Sequence, residues 1–253
     1  MVRLSAVIIT YNEEKNIGRC LSSLQGIADE IVVVDSGSSD KTREICGQHQ
    51  VSFHTHPFEG YIGQKNYATS LAKNDFILSI DADEALSDEL RQSVLQLKND
   101  WQMDGYTFNR LTNYCGRWIR HCGWYPDRKL RLFKKDSGQW GGRNPHDRFL
   151  LKNESRLGFI RGDLHHYSYY TIDEHLDQVN NFTTIDAQAM FDSGKRANAF
   201  HLLFKPCIRF IRDYVTRLGF LDGAYGFAIC RISAFATFIK YSKLRHLQKN
   251  NKP

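Results

Sequence analysis

Proline is scarce in this chain of 253 residues, five in all, and the eighteen glycines follow no repeat, which excludes collagen-like and low-complexity classes. The six cysteines, at 20, 46, 115, 122, 207 and 230, include no Cys-x-x-Cys pair. Scattered in this way they read as reduced thiols of a cytosolic protein rather than as a disulfide framework. An export signal is missing too: Met1-Val-Arg-Leu-Ser runs into an apolar strand without a longer apolar region or a small-residue cleavage site. Without export, the glycosylation triplets at Asn153 and Asn181 read as chance. The late apolar run from Phe220 to Ile239 is cut by Asp222 and Arg231 into pieces of eight uncharged residues, well short of the roughly 20 that span a bilayer. No internal repeat and no long linker interrupts the chain.

Apolar residues at 42% and charged residues at 25% are those of a folded chain, long enough for one large α/β domain or two small ones. The net charge of +6 is unevenly spread. Residues 195–253 hold twelve Lys/Arg against two Asp/Glu, leaving 22 basic and 26 acidic groups for residues 1–194. A uniformly basic nucleic-acid binder would not segregate its charge this way. A near-neutral body with a cationic tail points to an acidic surface, either nucleic acid or anionic lipid, met by the tail.

The first eighty residues alternate strand and helix patterns. Leu4–Ile9, Ile31–Val34, Val51–Thr55 and Phe76–Ile80 read as strands, with helices over Ile17–Leu24, up to Ile45, and over Ile62–Leu71. Three such crossovers in a row predict a doubly wound, Rossmann-like, mainly parallel α/β sheet with helices on both faces. Ligands of such sheets sit beyond the carboxyl ends of the strands. There the sequence places Thr10-Tyr11-Asn12-Glu13, then Asp35, then Asp81-Ala82-Asp83-Glu84. Ser87 reads as the cap of a helix opening Asp88-Glu89. From Tyr106 to about Tyr170 short strands rich in Trp, Tyr, Arg and His follow, at Tyr106–Leu111, Lys129–Phe133, Arg148–Leu151 and Leu157–Ile160. Thr171-Ile-Asp-Glu174 matches a capping box for a helix to about Asp192.

Asp81-Ala82-Asp83 carries the chemistry. Two carboxylates flanking a small residue after a buried strand can approach one divalent cation, and Mg²⁺ or Mn²⁺ shares its coordination shell readily with a diphosphate. Such a triplet is more often a solvated turn. Here it falls in the sheet whose earlier strands deliver Thr10, Glu13 and Asp35 to the same edge.

Val7-Ile-Ile-Thr-Tyr-Asn-Glu-Glu, Ile31-Val-Val-Val-Asp-Ser-Gly-Ser-Ser-Asp-Lys-Thr and Ile77-Leu-Ser-Ile-Asp-Ala-Asp-Glu resemble, in order and spacing, the signature segments of family 2 glycosyltransferases of the GT-A fold. Gln64-Lys-Asn-Tyr-Ala, Leu130-Arg-Leu-Phe and Leu221-Asp-Gly-Ala-Tyr-Gly-Phe extend the likeness to the branch with the lipopolysaccharide core β-1,4-glucosyltransferases. The Gln-x-x-Arg-Trp motif of processive synthases is absent, which implies transfer of a single sugar. The resemblance implies that Thr10, Tyr11 and Glu13 line the nucleotide site and that Asp35 accepts a hydrogen bond from the uracil N–H. It implies Asp81 at the ribose or at metal-bound water, Asp83 on Mg²⁺ or Mn²⁺, and Lys65 near the nucleotide. A second metal ligand is expected from His165-His166, with His166 narrowly preferred. The general base of an inverting transfer is expected in Asn144-Pro-His146-Asp147-Arg148, which selects Asp147, with Asp127 as rival; a salt bridge to a neighbouring arginine is the ordinary alternative for both. His54, His56 and the Cys115/His121/Cys122 group fit no common zinc spacing and read as structural.

Along 204–218, Phe204, Cys207, Ile208, Phe210, Ile211, Tyr214, Val215 and Leu218 share one helical face, with Lys205, Arg209 and Arg212 opposite. This pattern fits an interfacial anchor on anionic lipid; a helix packed on the protein's own body is the alternative. The expected organisation is a GT-A domain over 1–194, divided into a nucleotide half 1–105 and an acceptor half 106–194, with a basic amphipathic helical extension over 195–253. The expected activity is inverting, metal-dependent hexosyl transfer from a nucleotide-diphosphate sugar, UDP-glucose first, to a lipid-linked saccharide such as lipopolysaccharide inner core. The expected place is the cytoplasmic face of the inner membrane, peripherally bound. Transfer to a polyprenyl phosphate, or a silent nucleotide-binding protein docked on membranes, are the alternatives.

Overall fold

Strand β1 (Leu4–Thr10) is apolar on both sides, and in the computed structural model both sides are covered. The structure describes residues 1–143, 146–152 and 155–250. Asn144 and Pro145, which open the segment expected to carry the base, lie outside the described residues, as does Asn153 of one glycosylation triplet. Leu4, Ala6 and Ile8 pack in one core with Ile17, Cys20, Leu21 and Leu24 of helix α1 (Ile17–Leu24), and with Leu90, Val94 and Leu97 of α4 (Asp88–Asn99). Val7, on the opposite side of the pleat, packs in another with Ala68 of α3 (Tyr61–Leu71) and with Phe133, Trp140 and Phe149. The period-2 alternation of one strand thus sorts two helical layers.

Strands β2 (Glu30–Asp35), β3 (Ser52–Thr55) and β4 (Phe76–Asp81) run parallel with β1 in the order β3-β2-β1-β4. Helix α2 (Thr42–Gly47) connects β2 to β3. The sheet then continues through β8 (Asp127–Lys134), antiparallel to β4, and β6 (Gly105–Tyr114), antiparallel to β8, to β11 (Leu157–Tyr169) and β5 (Glu84–Leu86), which is antiparallel to β11, with β7 (Arg117–Ile119) antiparallel on β6. Strands β9 (Gly138–Arg143) and β10 (His146–Leu151) form a separate ribbon. The sheet is therefore mixed, with its parallel half as the sequence predicts.

Ser87 caps α4, its hydroxyl accepting from the Leu90 N–H, and Thr171 and Glu174 form the capping box of α5 (Ile172–Asp192) as expected. The sequence pattern misses β5, which starts at Glu84 directly after the acidic turn, and ends β11 nine residues early at Ile160. Polar residues such as Asp163, His165 and His166 hide the later part of β11, and only its pairing with β5 reveals it.

The chain divides into two compact units, Met1–Arg110 with Asp127–Tyr167, and residues 111–126 with 168–250. Residues 168–194 thus group with the tail. In this second unit α6 (Ala199–Ile211) starts earlier than the pattern over 204–218 suggests, at an Asn198–His201 capping box. It passes into a π turn at Arg212–Thr216, a 3₁₀ turn at Gly219–Asp222 and α7 (Gly223–Asn250). Ala187 of α5 packs with Tyr241 and Leu244 of α7, and Tyr114, Ile119 and Cys122 pack with Ile229 and Cys230. No single helix among the described residues is long and apolar enough to cross a membrane. By length and composition alone, the pair Ala199–Thr216 and Gly219–Asn250, bent by 73°, passes that test together.

His175, buried at the start of α5, takes its hydrogen bond from or gives it to the Tyr114 hydroxyl at 3.0 Å and is ringed by Tyr114, Trp124 and Tyr169. Burial lowers its pKa from 6.5 to about 4. The unfolded chain therefore binds a proton first as pH falls, so stability is lost between about 6.5 and 4. Thermal melts should show a pH slope of up to about 1.4 kcal/mol per unit in that window that His175→Gln removes. An identical slope in the variant would contradict the assignment.

Candidate active site

The parallel registers bring the strand ends level. Thr10 lies opposite Asp35, and Ile9 opposite Asp81. Beyond these ends two loops lace together. Asn12, at φ 53°, accepts from the Ser39 N–H, its own N–H donates to the Ser38 hydroxyl, and the Glu13 N–H donates to Thr42 Oγ1. Asn tolerates this left-handed conformation, and its side chain closes the turn. The Asp35 carboxylate, 4% exposed, accepts from the N–H groups of Gly37 and Ser38 and from the Ser38 hydroxyl. Its own turn thus holds it, and a carboxylate has about four acceptor sites, so one more donor can be read. The Thr10 hydroxyl is buried with no hydrogen-bond partner, while Tyr11 is exposed.

Asp81 ends β4 in a net of charges. Lys65 Nζ of α3 lies 3.0 Å from Asp81 Oδ1, and Arg131 Nη2 of β8 lies 2.8 Å from Asp81 Oδ2. Burial pushes the Asp81 carboxyl up, but Arg131 and Lys65 outweigh it and hold the group well below the carboxylate range. Glu84, fully buried, accepts from the Asp81 N–H at 2.9 Å, from Arg110 at 3.2 Å and from Arg131 at 3.3 Å. Lys65 also pairs with Asp147 Oδ2 of β10 at 2.8 Å, so one buried ammonium joins the Asp81 turn to the expected base. Lys65 and Arg131 both lie over the Trp140 ring, at 4.8 and 5.5 Å. The rival Asp127 pairs instead with Arg110 and Lys129, at 2.8 and 3.0 Å. Both carboxylates are ion-paired, as the ordinary alternative has it, though the partner of Asp147 is a lysine.

Asp83 faces a different set. β11 pairs antiparallel with β5, His166 opposite Glu84, and the Tyr167 N–H donates to the Asp83 carbonyl. This register carries His166 Nε2 to 3.1 Å from Asp83 Oδ2. Glu13 stands nearby: burial first and the Asp83 charge second raise its pKa from 4.5 to about 7. Among the described residues no three His, Cys, Asp or Glu side chains are arranged to hold a metal by themselves. Asp83 and His166 offer one carboxylate oxygen and one imidazole nitrogen, a donor set suited to Mn²⁺ or Mg²⁺ when phosphate oxygens complete the shell.

The structure thus brings Lys65, Asp81 and Asp147 together, and Glu13, Asp83 and His166 together, and puts Thr10 beside Asp35. Sequence reasoning placed Asn12 and Glu84 at the strand ends and Arg131 in a family-like segment but gave no role to them or to Thr42 and Arg110. Arg131 had a visible signal, a charged residue inside the apolar run Leu130-Arg-Leu-Phe. His56, set aside as structural, hydrogen-bonds Gln64 at 2.9 Å and stacks on Tyr67, while His121 bonds Asp222.

The Glycosyl transferase family 2 profile matches residues 5–153, and this chain belongs to that family. An uncharacterized glycosyltransferase of Rickettsia typhi is 30% identical over 98% of this chain and 88% of its own length. The lipopolysaccharide core biosynthesis glycosyltransferase LpsC of Rhizobium meliloti is 32% identical over 97% of this chain and 94% of its own. Among solved structures, TarS 1–349 of S. aureus aligns over 99% of this chain and 92% of that one, at 15% identity and a TM-score of 0.48.

The raised Glu13 carboxyl yields a test on the protein without metal. Its protonated form is favoured by folding, so it adds stability below about pH 4.5 that is lost as pH rises through about 7. Glu13→Gln keeps a hydrogen-bonding partner for Asn16 Nδ2 and removes the charge. At pH 8 the variant should melt higher, by on the order of 1–3 kcal/mol, with the difference vanishing near pH 4. An equal melting temperature at pH 8 would refute the reading.

Proposed function

We propose that this chain is an inverting, metal-dependent glycosyltransferase that moves one hexosyl group from a nucleotide-diphosphate sugar, UDP-glucose being the first candidate, to a lipid-linked saccharide such as lipopolysaccharide inner core. The Asp83–His166 contact at the carboxyl end of the parallel sheet carries the reading. The likeness to LpsC, named for lipopolysaccharide core biosynthesis, supports the acceptor. Thr10, Tyr11, Glu13 and Asp35 take the nucleoside, with the partnerless Thr10 hydroxyl and the Asp35 carboxylate as its polar contacts. Asp83 and His166 hold Mg²⁺ or Mn²⁺, which when bound neutralises the charge of the departing diphosphate. Lys65 and Arg131 fix Asp81 at the ribose edge. Asp147 takes the proton from the acceptor hydroxyl as general base, its carboxylate positioned by Lys65.

Membrane docking belongs to the same reading, at the cytoplasmic face of the inner membrane. Helix α6 is turned with its apolar stripe outward: Leu203, Phe204, Ile208 and Ile211 are all more than half exposed. Its basic side is engaged within the unit, Lys205 on the Tyr241 hydroxyl and Arg209 on Asp213. An uncovered apolar stripe on a unit rich in Lys and Arg suits an anionic lipid surface.

Two substitutions separate the roles. Asp83→Asn should abolish metal-dependent UDP binding in calorimetric titrations and cut transfer by several orders of magnitude; near-normal transfer in excess chelator would overturn the metal assignment. Asp147→Asn should leave UDP affinity in place and slow transfer by about 10²–10⁴-fold. Normal transfer by Asp147→Asn with a dead Asp127→Asn would move the base to Asp127.

A further inference from the structure

The second unit has a cavity of about 350 Å³ lined by Arg120, His121, Arg217, Tyr125, Pro126 and Leu218 among others. Among the described residues, no acidic residue is one of those lining it. Two buried aspartates bind the segments that carry its basic residues. Asp222 accepts from the Arg120 and His121 N–H groups at 3.3 and 2.8 Å and meets His121 Nδ1 at 3.0 Å. Asp213, 1% exposed, pairs with Arg209, with Arg212 Nε at 2.9 Å and with Arg217 Nη1 at 3.2 Å. Three guanidinium groups on one carboxylate leave positive charge in excess.

Arg217 is also placed by its neighbour. Gly123 has φ +75°, and a Cβ there would lie 2.2 Å from Arg217 Nη1 and 2.6 Å from its Cδ. The absence of a side chain lets the arginine lie along this loop. Arg120, also in the cavity lining, lies 5.5 Å from the Tyr125 ring. Leu218, in the cavity wall, is exposed and continues the apolar series of Ile211 and Val215, with Phe220 and Leu221 just beyond it. Preplaced guanidinium groups match phosphate oxygens, and apolar side chains at the cavity wall match what a lipid phosphate is attached to.

We propose that this cavity binds a phosphate group, carried by a lipid headgroup at the membrane surface. The lipid half rests on the membrane docking proposed above; the phosphate half does not.

The test uses the full chain with UDP present throughout to fill the donor site. A failure of the donor reading shows separately, as no binding of UDP alone. Inorganic phosphate should bind saturably in calorimetry, and Arg217→Gln and Arg120→Gln should each weaken it about ten-fold, the loss of a charge-assisted hydrogen bond. Gly123→Ala, which displaces Arg217 without altering charge, should weaken it as well and serves if Arg217→Gln does not fold. In sedimentation with phosphatidylcholine vesicles containing phosphatidic acid, the same variants should be retained less than the parent, and phosphate should displace the parent. Phosphate binding that depends on the arginines, with vesicle retention that does not, would make the ligand a free phosphate and overturn the lipid half. No saturable phosphate binding, or equal binding by all variants, would overturn the proposal.

Discussion

Everything at the candidate site depends on two carboxylates, the half-buried Asp81 at the end of a parallel strand and the fully buried Glu84 at the start of β5. Charge of this kind is tolerated away from water only with close partners and satisfied hydrogen bonds. Arg131, reaching across from β8, supplies both carboxylates, while Lys65 from α3 and Arg110 from β6 supply one each. The net joins the parallel half of the sheet to its mixed half and fixes the turn between β4 and β5. Asp83 projects from that turn. Removing Arg131 would leave both carboxylates short of a cation.

The same turn separates two electrostatic settings a few residues apart. Asp81 is surrounded by cations and held ionised. Asp83 and Glu13 face each other's negative charge with a histidine beside them, and the Glu13 carboxyl is pushed to about 7. A protein that leaves acidic groups unreconciled sacrifices stability there, which is the ordinary signature of a place reserved for a ligand. A divalent cation removes that conflict.

The parallel half of the fold was legible because Leu4–Ile9, Ile31–Val34 and Phe76–Ile80 are apolar runs bounded by polar turns, and the acidic residues follow them directly. The rest of the sheet was less so. β5 opens on Glu84 directly after the acidic turn, and β11 carries His165 and His166 in a stretch whose strand character comes from pairing, not composition. Lys65, a solvated helix residue by pattern alone, is buried between two carboxylates that stand 16 and 82 residues away in sequence. In the tail, helical periodicity put Phe210 and Tyr214 on one face with Phe204, Ile208 and Ile211, but those two pack against the unit's own core while the others stay exposed. Asp213, buried, draws Arg209, Arg212 and Arg217 to itself, and the rest of the apolar stripe of α6 is left outside.

The central claim is that Asp83 and His166 hold one divalent cation beside a nucleotide diphosphate. Pulsed electron paramagnetic resonance on Mn²⁺ bound to the protein with UDP reads this without turnover. The account predicts nitrogen modulation from a directly bound imidazole, lost in His166→Asn and kept in His165→Asn. Mn²⁺ with no coupled nitrogen, or coupling that survives the loss of His166, would contradict it.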